Sequence, residues 1–139
     1  MSVYLDANIL MALFSADKFS QTAFALVARE RRTFFSDFGA AEFASALARR
    51  VRTGERNRND ARAAFAAFDA WTTRGGNTVS VTSDDIAEAA TYLRRLDLNL
   101  RTPDAIHIAI AQRLGATLAT FDERMADCAR SLGLTVANA

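Results

Sequence analysis

Apolar residues along the chain follow two rhythms. Short runs rich in apolar and β-branched residues stand at Val3-Tyr4-Leu5, Thr33-Phe34-Phe35-Ser36, Thr78-Val79-Ser80-Val81, Thr117-Leu118-Ala119 and Leu134-Thr135-Val136, and they read as five strands. Between them lie longer stretches with apolar residues three or four apart, the spacing of one helix face. Phe43, Leu47 and Val51 form such a ridge. Ala61, Phe65, Phe68 and Trp71 form an aromatic stripe in the next helix, which Asn59 is placed to cap. That stripe reads as core or subunit interface rather than as a platform for bases. Ser20 caps an earlier helix running to about Arg32, with Phe19 stapled to Phe24 and with Phe24, Leu26 and Val27 inward. Gly75-Gly76 breaks the chain, and Ser83 caps a helix with Ile86, Ala89 or Ala90, and Leu93 inward. Strands that alternate with helices predict an α/β fold with a parallel sheet covered on both faces.

One stretch departs from the amphipathic pattern. After Leu100-Arg101, Thr102 can cap a helix and Pro103 suits its first turn; the run from Ala105 to Ala111 is then apolar nearly all round. A buried central helix follows. Asp104 sits in its first turn, where negative charge is favourable by about 0.3–1 kcal/mol and needs no further reason. Its company supplies one. Asp6 ends the first strand, and Glu42 follows the second strand by six residues, off the ridge and above Ser45, Ala46 and Arg49. Thr120-Phe121-Asp122-Glu123 has the form of a capping box, which gives Asp122 the place in its helix that Asp104 has in the central one. With right-handed crossovers these four acids converge on one edge of the sheet, beyond the strands' carboxyl ends. Asp84 and Asp85 need only the helix dipole to explain them.

Composition narrows the function. The 139 residues read as a single domain, 1–139, with one Pro, six Gly and no repeat or low-complexity tract. A net charge of +1 favours no partner strongly, although Lys18 is the only Lys and Arg carries the rest of the positive charge. Cys128 stands alone, which rules out an internal disulfide, and no signal peptide or membrane span is visible. The expected location is the cytoplasm. Four carboxylates in one cleft with no matching Lys repel unless a cation joins them, and oxygen ligands with room for water suit Mg²⁺ or Mn²⁺. His107, the one His, reads as a packed, hydrogen-bonded residue rather than a zinc ligand. A phosphoacceptor receiver would need a late Lys, and a haloacid-dehalogenase-like phosphatase an Asp where Asn8 stands; both fall.

Tyr4-Leu5-Asp6-Ala7-Asn8-Ile9-Leu10, Ala41-Glu42-Phe43, Asp104-Ala105-Ile106-His107 and Thr120-Phe121-Asp122, in that order, resemble the PIN-domain family. The Ala48-Arg49-Arg50-Val51-Arg52-Thr53-Gly54 run is most similar to the VapC-type ribonuclease toxins. Ala7 departs from the Thr or Ser common there. The resemblance implies a PIN-like αβα sandwich with a central five-stranded parallel sheet. It also implies a Mg²⁺-dependent endoribonuclease, with Mn²⁺ as substitute, acting as the toxin of a type II toxin–antitoxin pair. Asp6 and Asp104 would be the principal metal ligands, Glu42 and Asp122 would complete the cluster, and Asn8 and Thr120 would position these carboxylates. Arg49, Arg50 and Arg52 either line the RNA path or form a solvated helix end. The implied partners are RNA, a cognate antitoxin and a second copy of the chain, with the aromatic-rich second and fourth helices as surfaces. Two rival readings keep the fold: a PIN-like module that binds RNA or protein without cutting, and an RNA-processing nuclease with no toxin role.

Overall fold

β1 (Ser2–Leu5) lies mid-sheet, and Val3, Tyr4 and Leu5 are all buried, as a strand covered on both faces requires. It pairs in parallel with β2 (Arg32–Ser36) on one side and β4 (Thr117–Ala119) on the other. β3 (Asn77–Val79) extends the sheet beyond β2, giving the order β3-β2-β1-β4. The computed structural model describes residues 2–30, 32–75 and 77–137; Gly76, half of the expected Gly75-Gly76 break, lies outside them. Among the described residues the sheet has four strands rather than five. The expected fifth is a single parallel bridge between Leu118 and Val136. Ala119 turns its carbonyl toward β1, where it accepts from Asp6 N, so on the outer edge only Leu118 offers both backbone groups. It spends them on Thr135 O and Ala137 N, at 2.9 and 2.8 Å, and one rung is all that β4 can support there.

The period-two alternation of β1 divides the core. Val3 and Leu5 pack with α1 (Ala7–Phe14), α2 (Ser20–Arg29), α3 (Asp37–Arg52) and α4 (Arg58–Arg74). Tyr4 faces the other way, into α5 (Ser83–Arg94), α6 (Thr102–Leu114) and α7 (Glu123–Ser131). The α4 aromatics are core: the Phe68 ring lies 5.1–5.5 Å from those of Phe43, Phe35 and Phe14. As expected, α6 buries every residue from Ala105 to Ala111.

Several local expectations shift by a residue or a turn. Asn57, not Asn59, caps α4 through Asp60 N at 2.8 Å. Thr82, not Ser83, caps α5 in a reciprocal box with Asp85. Thr102 is already helical, and Arg101 flanks α6 without a side-chain cap. α2 ends at Arg29, short of Arg32, and Phe24 is 54% exposed because Ala23 and Leu26 take the inward face. Phe19 stacks on Phe121 instead of stapling to Phe24. In α5, Ile86 is 47% exposed while Asp85, Ala89 and Tyr92 turn inward. Asp85 is more than a dipole residue. It is 2% exposed and takes both arms of Arg113, at 2.8 and 3.0 Å. No helix among the described residues is long and apolar enough to cross a membrane.

Candidate functional site

The carboxyl ends of β1, β2 and β4 meet α6 at one point, and Asp6 is fixed there first. Its Oδ1 accepts from Ala7 N at 2.7 Å and its Oδ2 from the Thr120 hydroxyl at 2.8 Å. Thr120 in turn accepts from the Asn8 amide and from Asp122 N, both at 3.1 Å, while Asn8 Oδ1 accepts from Phe121 N at 3.2 Å. Asn8 and Thr120 thus brace Asp6, and Thr120 is not the cap of the last helix. Asp122 takes that place, its Oδ1 accepting from Met125 N at 3.1 Å. Asp104 lies further into the first turn of its own helix, so the two acids are not equivalent. Asp104 Oδ2 accepts from Arg101 N at 3.2 Å.

Two cations stand among these acids. His107 is one turn beyond Asp104 on α6, and its Nε2 hydrogen-bonds Glu42 Oε1 and lies 3.4 Å from Asp6 Oδ1. Its Nδ1 is 2.7 Å from the Tyr4 hydroxyl, which is 2.7 Å from Ser36 Oγ, which accepts from Gly39 N at 2.9 Å. The amide can only donate and a carboxylate can only accept. Nε2–H donates to Glu42 in either protonation state of the ring: in the neutral form Tyr4 donates to Nδ1, and in the imidazolium Nδ1–H donates to Tyr4 and Tyr4 to Ser36. Burial disfavours charge on the imidazole, but the Glu42 hydrogen bond and the nearby Asp6 charge outweigh it and raise its pKa. Burial likewise raises the Asp6 carboxyl, against the opposing pull of His107 and Thr120. The Tyr4 phenol is pushed far up, mainly by burial.

The second cation is Arg124, on α7. Its Nη2 lies 3.2 Å from Asp104 Oδ2 and 3.8 Å from Asp122 Oδ2. The four acids therefore divide into an inner pair joined by His107 and an outer pair joined by Arg124. Among the described residues, donor atoms able to converge on one ion belong to Asp6, Glu42 and His107, all within 4.8 Å of one another. Glu42 is a third exposed to a cleft of about 470 Å³ that Asn8, Ala46, Arg49, Arg50 and Asp122 also line. Arg49 and Arg52 border an adjoining groove above Glu42, Ser45 and Ala46, which is the space expected there. Arg50 is engaged elsewhere, donating to Ser15 Oγ at 3.2 Å.

Residues 3–131 match the sequence model of the PIN domain. The chain belongs to the PIN domain family. Over 44 residues it is 54% identical to Ribonuclease VapC46 of Mycobacterium tuberculosis, a stretch spanning 30% of this chain and 34% of that protein. Its fold is similar to that of Mycobacterium tuberculosis VapC20, described as a sarcin-ricin loop cleaving toxin, with a TM-score of 0.76, 23% identity and 99% of each chain covered. It is also similar to VapBC2 from Rickettsia felis bound to a DNA fragment from its promoter, with a TM-score of 0.71, 17% identity, and 99% and 98% of the two chains covered. At such identities the structural likeness speaks for the fold.

In this PIN domain the four acids stand at the carboxyl edge of the sheet, and the pairing of His107 with Glu42 and of Arg124 with Asp104 was not expected. For His107 the signal was present: a residue three beyond Asp104 shares its helix face. The apolar run around it predicts a packed, hydrogen-bonded residue, which it is, but names no partner. Arg124 carried no such mark, since its contact with Asp104 crosses between α7 and α6, and pairing across elements is invisible to periodicity.

Proposed function

We propose that this PIN domain is a Mg²⁺- or Mn²⁺-dependent endoribonuclease and the toxin of a type II toxin–antitoxin pair. The observation that carries this reading is the convergence of Asp6, Glu42 and His107 beside a cleft bordered by arginines. The donor set fits the metal: two carboxylates suit Mg²⁺, and an imidazole nitrogen within reach also suits Mn²⁺. Asp6 and Glu42 hold the ion, and Asp104 and Asp122 complete the acidic cluster around it. Bound there, a divalent ion neutralises phosphate charge and lowers the pKa of an attacking water.

The chain's own residues do the positioning. Thr120, itself held by Asn8, fixes the angle of Asp6. The line from Gly39 through Ser36 and Tyr4 holds His107, and His107 holds Glu42 against Asp6. Arg49 and Arg52 meet phosphates along the groove, while Arg50 anchors the end of α3 to the residues after α1. The ribonuclease name of VapC46 supports RNA as substrate, and the toxin and promoter-complex names of the structural neighbours support an antitoxin partner. A homodimer in the cytoplasm belongs to the same reading.

The test is cleavage of a defined RNA by purified protein with Mg²⁺, with Mn²⁺ and with EDTA, followed by sequencing of the RNA ends. The expected result is discrete metal-dependent cuts that Glu42→Gln abolishes. Cleavage that persists in EDTA, or a fully active Glu42→Gln, overturns the reading.

A further inference from the structure

We propose that Phe19, backed by Phe121, is a stacking platform for one unpaired base of the RNA, set beside the acidic centre. The inference rests on the ribonuclease reading above and adds a base subsite to it. Phe19 is 39% exposed, and its ring stacks on that of Phe121 with centroids 4.6 Å apart and planes within 15°. Ring pairs among the phenylalanines and Trp71 of the core meet tilted or edge-on instead, at 31–86°. Both stacked rings line the cleft that holds Glu42 and Arg49. A flat π-face and a guanidinium in one cleft are what a single strand needs, a surface for its base and a charge for its phosphate. Lys18, the one Lys of the chain, adds a second cation, its Nζ 5.0 Å from the centre of the Phe19 ring.

The platform is held in register with the acids. Phe121 N donates to Asn8 Oδ1 at 3.2 Å, and the same Asn8 side chain braces Thr120, which holds Asp6. Phe19 N donates to Asp17 Oδ1 at 2.8 Å and Asp17 N to Ser20 Oγ at 3.0 Å, which closes the turn into α2. Arg50 and Arg56 fasten the two residues before that turn, through Ser15 Oγ and Ala16 O. A ring fixed in this way loses little freedom when a base lies on it. Every base has a π-face, so the platform selects an unpaired nucleotide rather than a particular base. A nucleotide held there places the neighbouring phosphate by the length of its own backbone.

A cycle between protein and RNA tests the contact. Each nucleotide around a mapped cut is replaced in turn by an abasic one, and kcat/KM is measured for wild type, Phe19→Ala, Phe19→Leu and Phe19→Trp. At one position, loss of the base should lower wild-type kcat/KM by about 5- to 100-fold. Phe19→Ala should lose a similar factor on intact RNA and nothing further on the RNA abasic at that position. Phe19→Leu, apolar and of similar size but without a π-face, should behave as Phe19→Ala does, and Phe19→Trp should keep wild-type activity. Losses that multiply at every position mean that Phe19 touches no base and overturn the proposal. A Phe19→Leu as active as wild type also overturns it, because the ring then serves an apolar protein segment and not a base. Wild type that cuts no RNA overturns the ribonuclease reading itself, and the subsite with it.

Discussion

The two halves of this acidic site solve the same electrostatic problem in different ways. Asp6 and Glu42 are joined by an imidazole that is itself buried and held by a line of hydrogen bonds ending on a backbone amide. Asp104 and Asp122 are joined by a guanidinium whose side chain is 32% exposed. A buried cation between carboxylates is costly to remove, because Asp6 is left charged and buried. A half-exposed one is worth little on its own, because water and salt do much of its work. The inner half is therefore where losing the shared partner costs the fold most, and the outer half shapes the field around it.

The largest effect that separates the halves is on activity. Glu42→Gln keeps the size of the side chain and removes a charged ligand, so kcat/KM on RNA should fall by far more than the roughly 10–100-fold typical of an outer partner. Asp122→Asn, which can still cap α7, should fall only within that range. Equal losses at the two positions would mean that all four acids bind metal alike. The next effect is on stability. His107→Ala leaves Asp6, Glu42 and Tyr4 without their shared partner, and breaking a buried pair costs about 3–5 kcal/mol. Melting in EDTA should drop by roughly 10 °C or more for a domain of this size. A drop of a degree or two would show that water substitutes for the ring.

What the sequence revealed of this site follows a physical line. Asp6, Glu42, Asp104 and Asp122 were legible because strand ends and helix starts mark themselves through short apolar runs and caps, and parallel topology sends those ends to one edge. The core of α6 was legible for the same reason, since an all-round apolar helix has nowhere else to go. The pairing partners were not. His107 to Glu42 and Arg124 to Asp104 are contacts between elements, set by how two helices pack rather than by any local period. The same holds for Asp85, which its neighbours mark as an ordinary first-turn acid and whose buried carboxylate pairs with Arg113, 28 residues away. The fifth strand failed on length: Leu134-Thr135-Val136 has the right composition, but its neighbour β4 offers a single outward rung.

Asp85 and Arg113 give a second guanidinium pair, in which the carboxylate is 2% exposed where that of Asp104 is 16%, and pH distinguishes the two. Burial raises the Asp85 carboxyl, but hydrogen bonds from Arg113 and Thr82 outweigh it and hold its pKa below the usual range. A folded pKa below the unfolded value of about 3.9 adds stability that is complete above that pH and lost as pH falls through the folded value. Asp85→Asn should therefore melt well below wild type at pH 7, and the gap should narrow in acid below about pH 4. A gap that is constant from pH 7 to pH 3 would mean that the pair contributes shape and not charge.

The smallest effect is the most diagnostic, because its sign is in question. Sequence alone sets Asp104 against Asp6 with no cation between them, and two like charges about 5 Å apart repel by roughly 3 kcal/mol at an effective dielectric of 20. On that view Asp104→Asn relieves repulsion and melts higher in EDTA. The structure instead gives Asp104 a guanidinium at 3.2 Å and a backbone N–H at the same distance. Neutralising it removes an attraction, worth no more than about 1 kcal/mol for a partly exposed pair. Asn keeps part of the hydrogen bonding at the helix start, so the expected change is a fall of roughly 2 °C. In an Arg124→Gln background the sign should reverse, because Asp104 and Asp122 then face each other without a cation and the Asn relieves them. Melting curves of the two single mutants and the double mutant in EDTA isolate that coupling. If Asp104→Asn melts higher with Arg124 in place, the inner acids act on Asp104 more strongly than Arg124 does, and the division of the site into two halves fails.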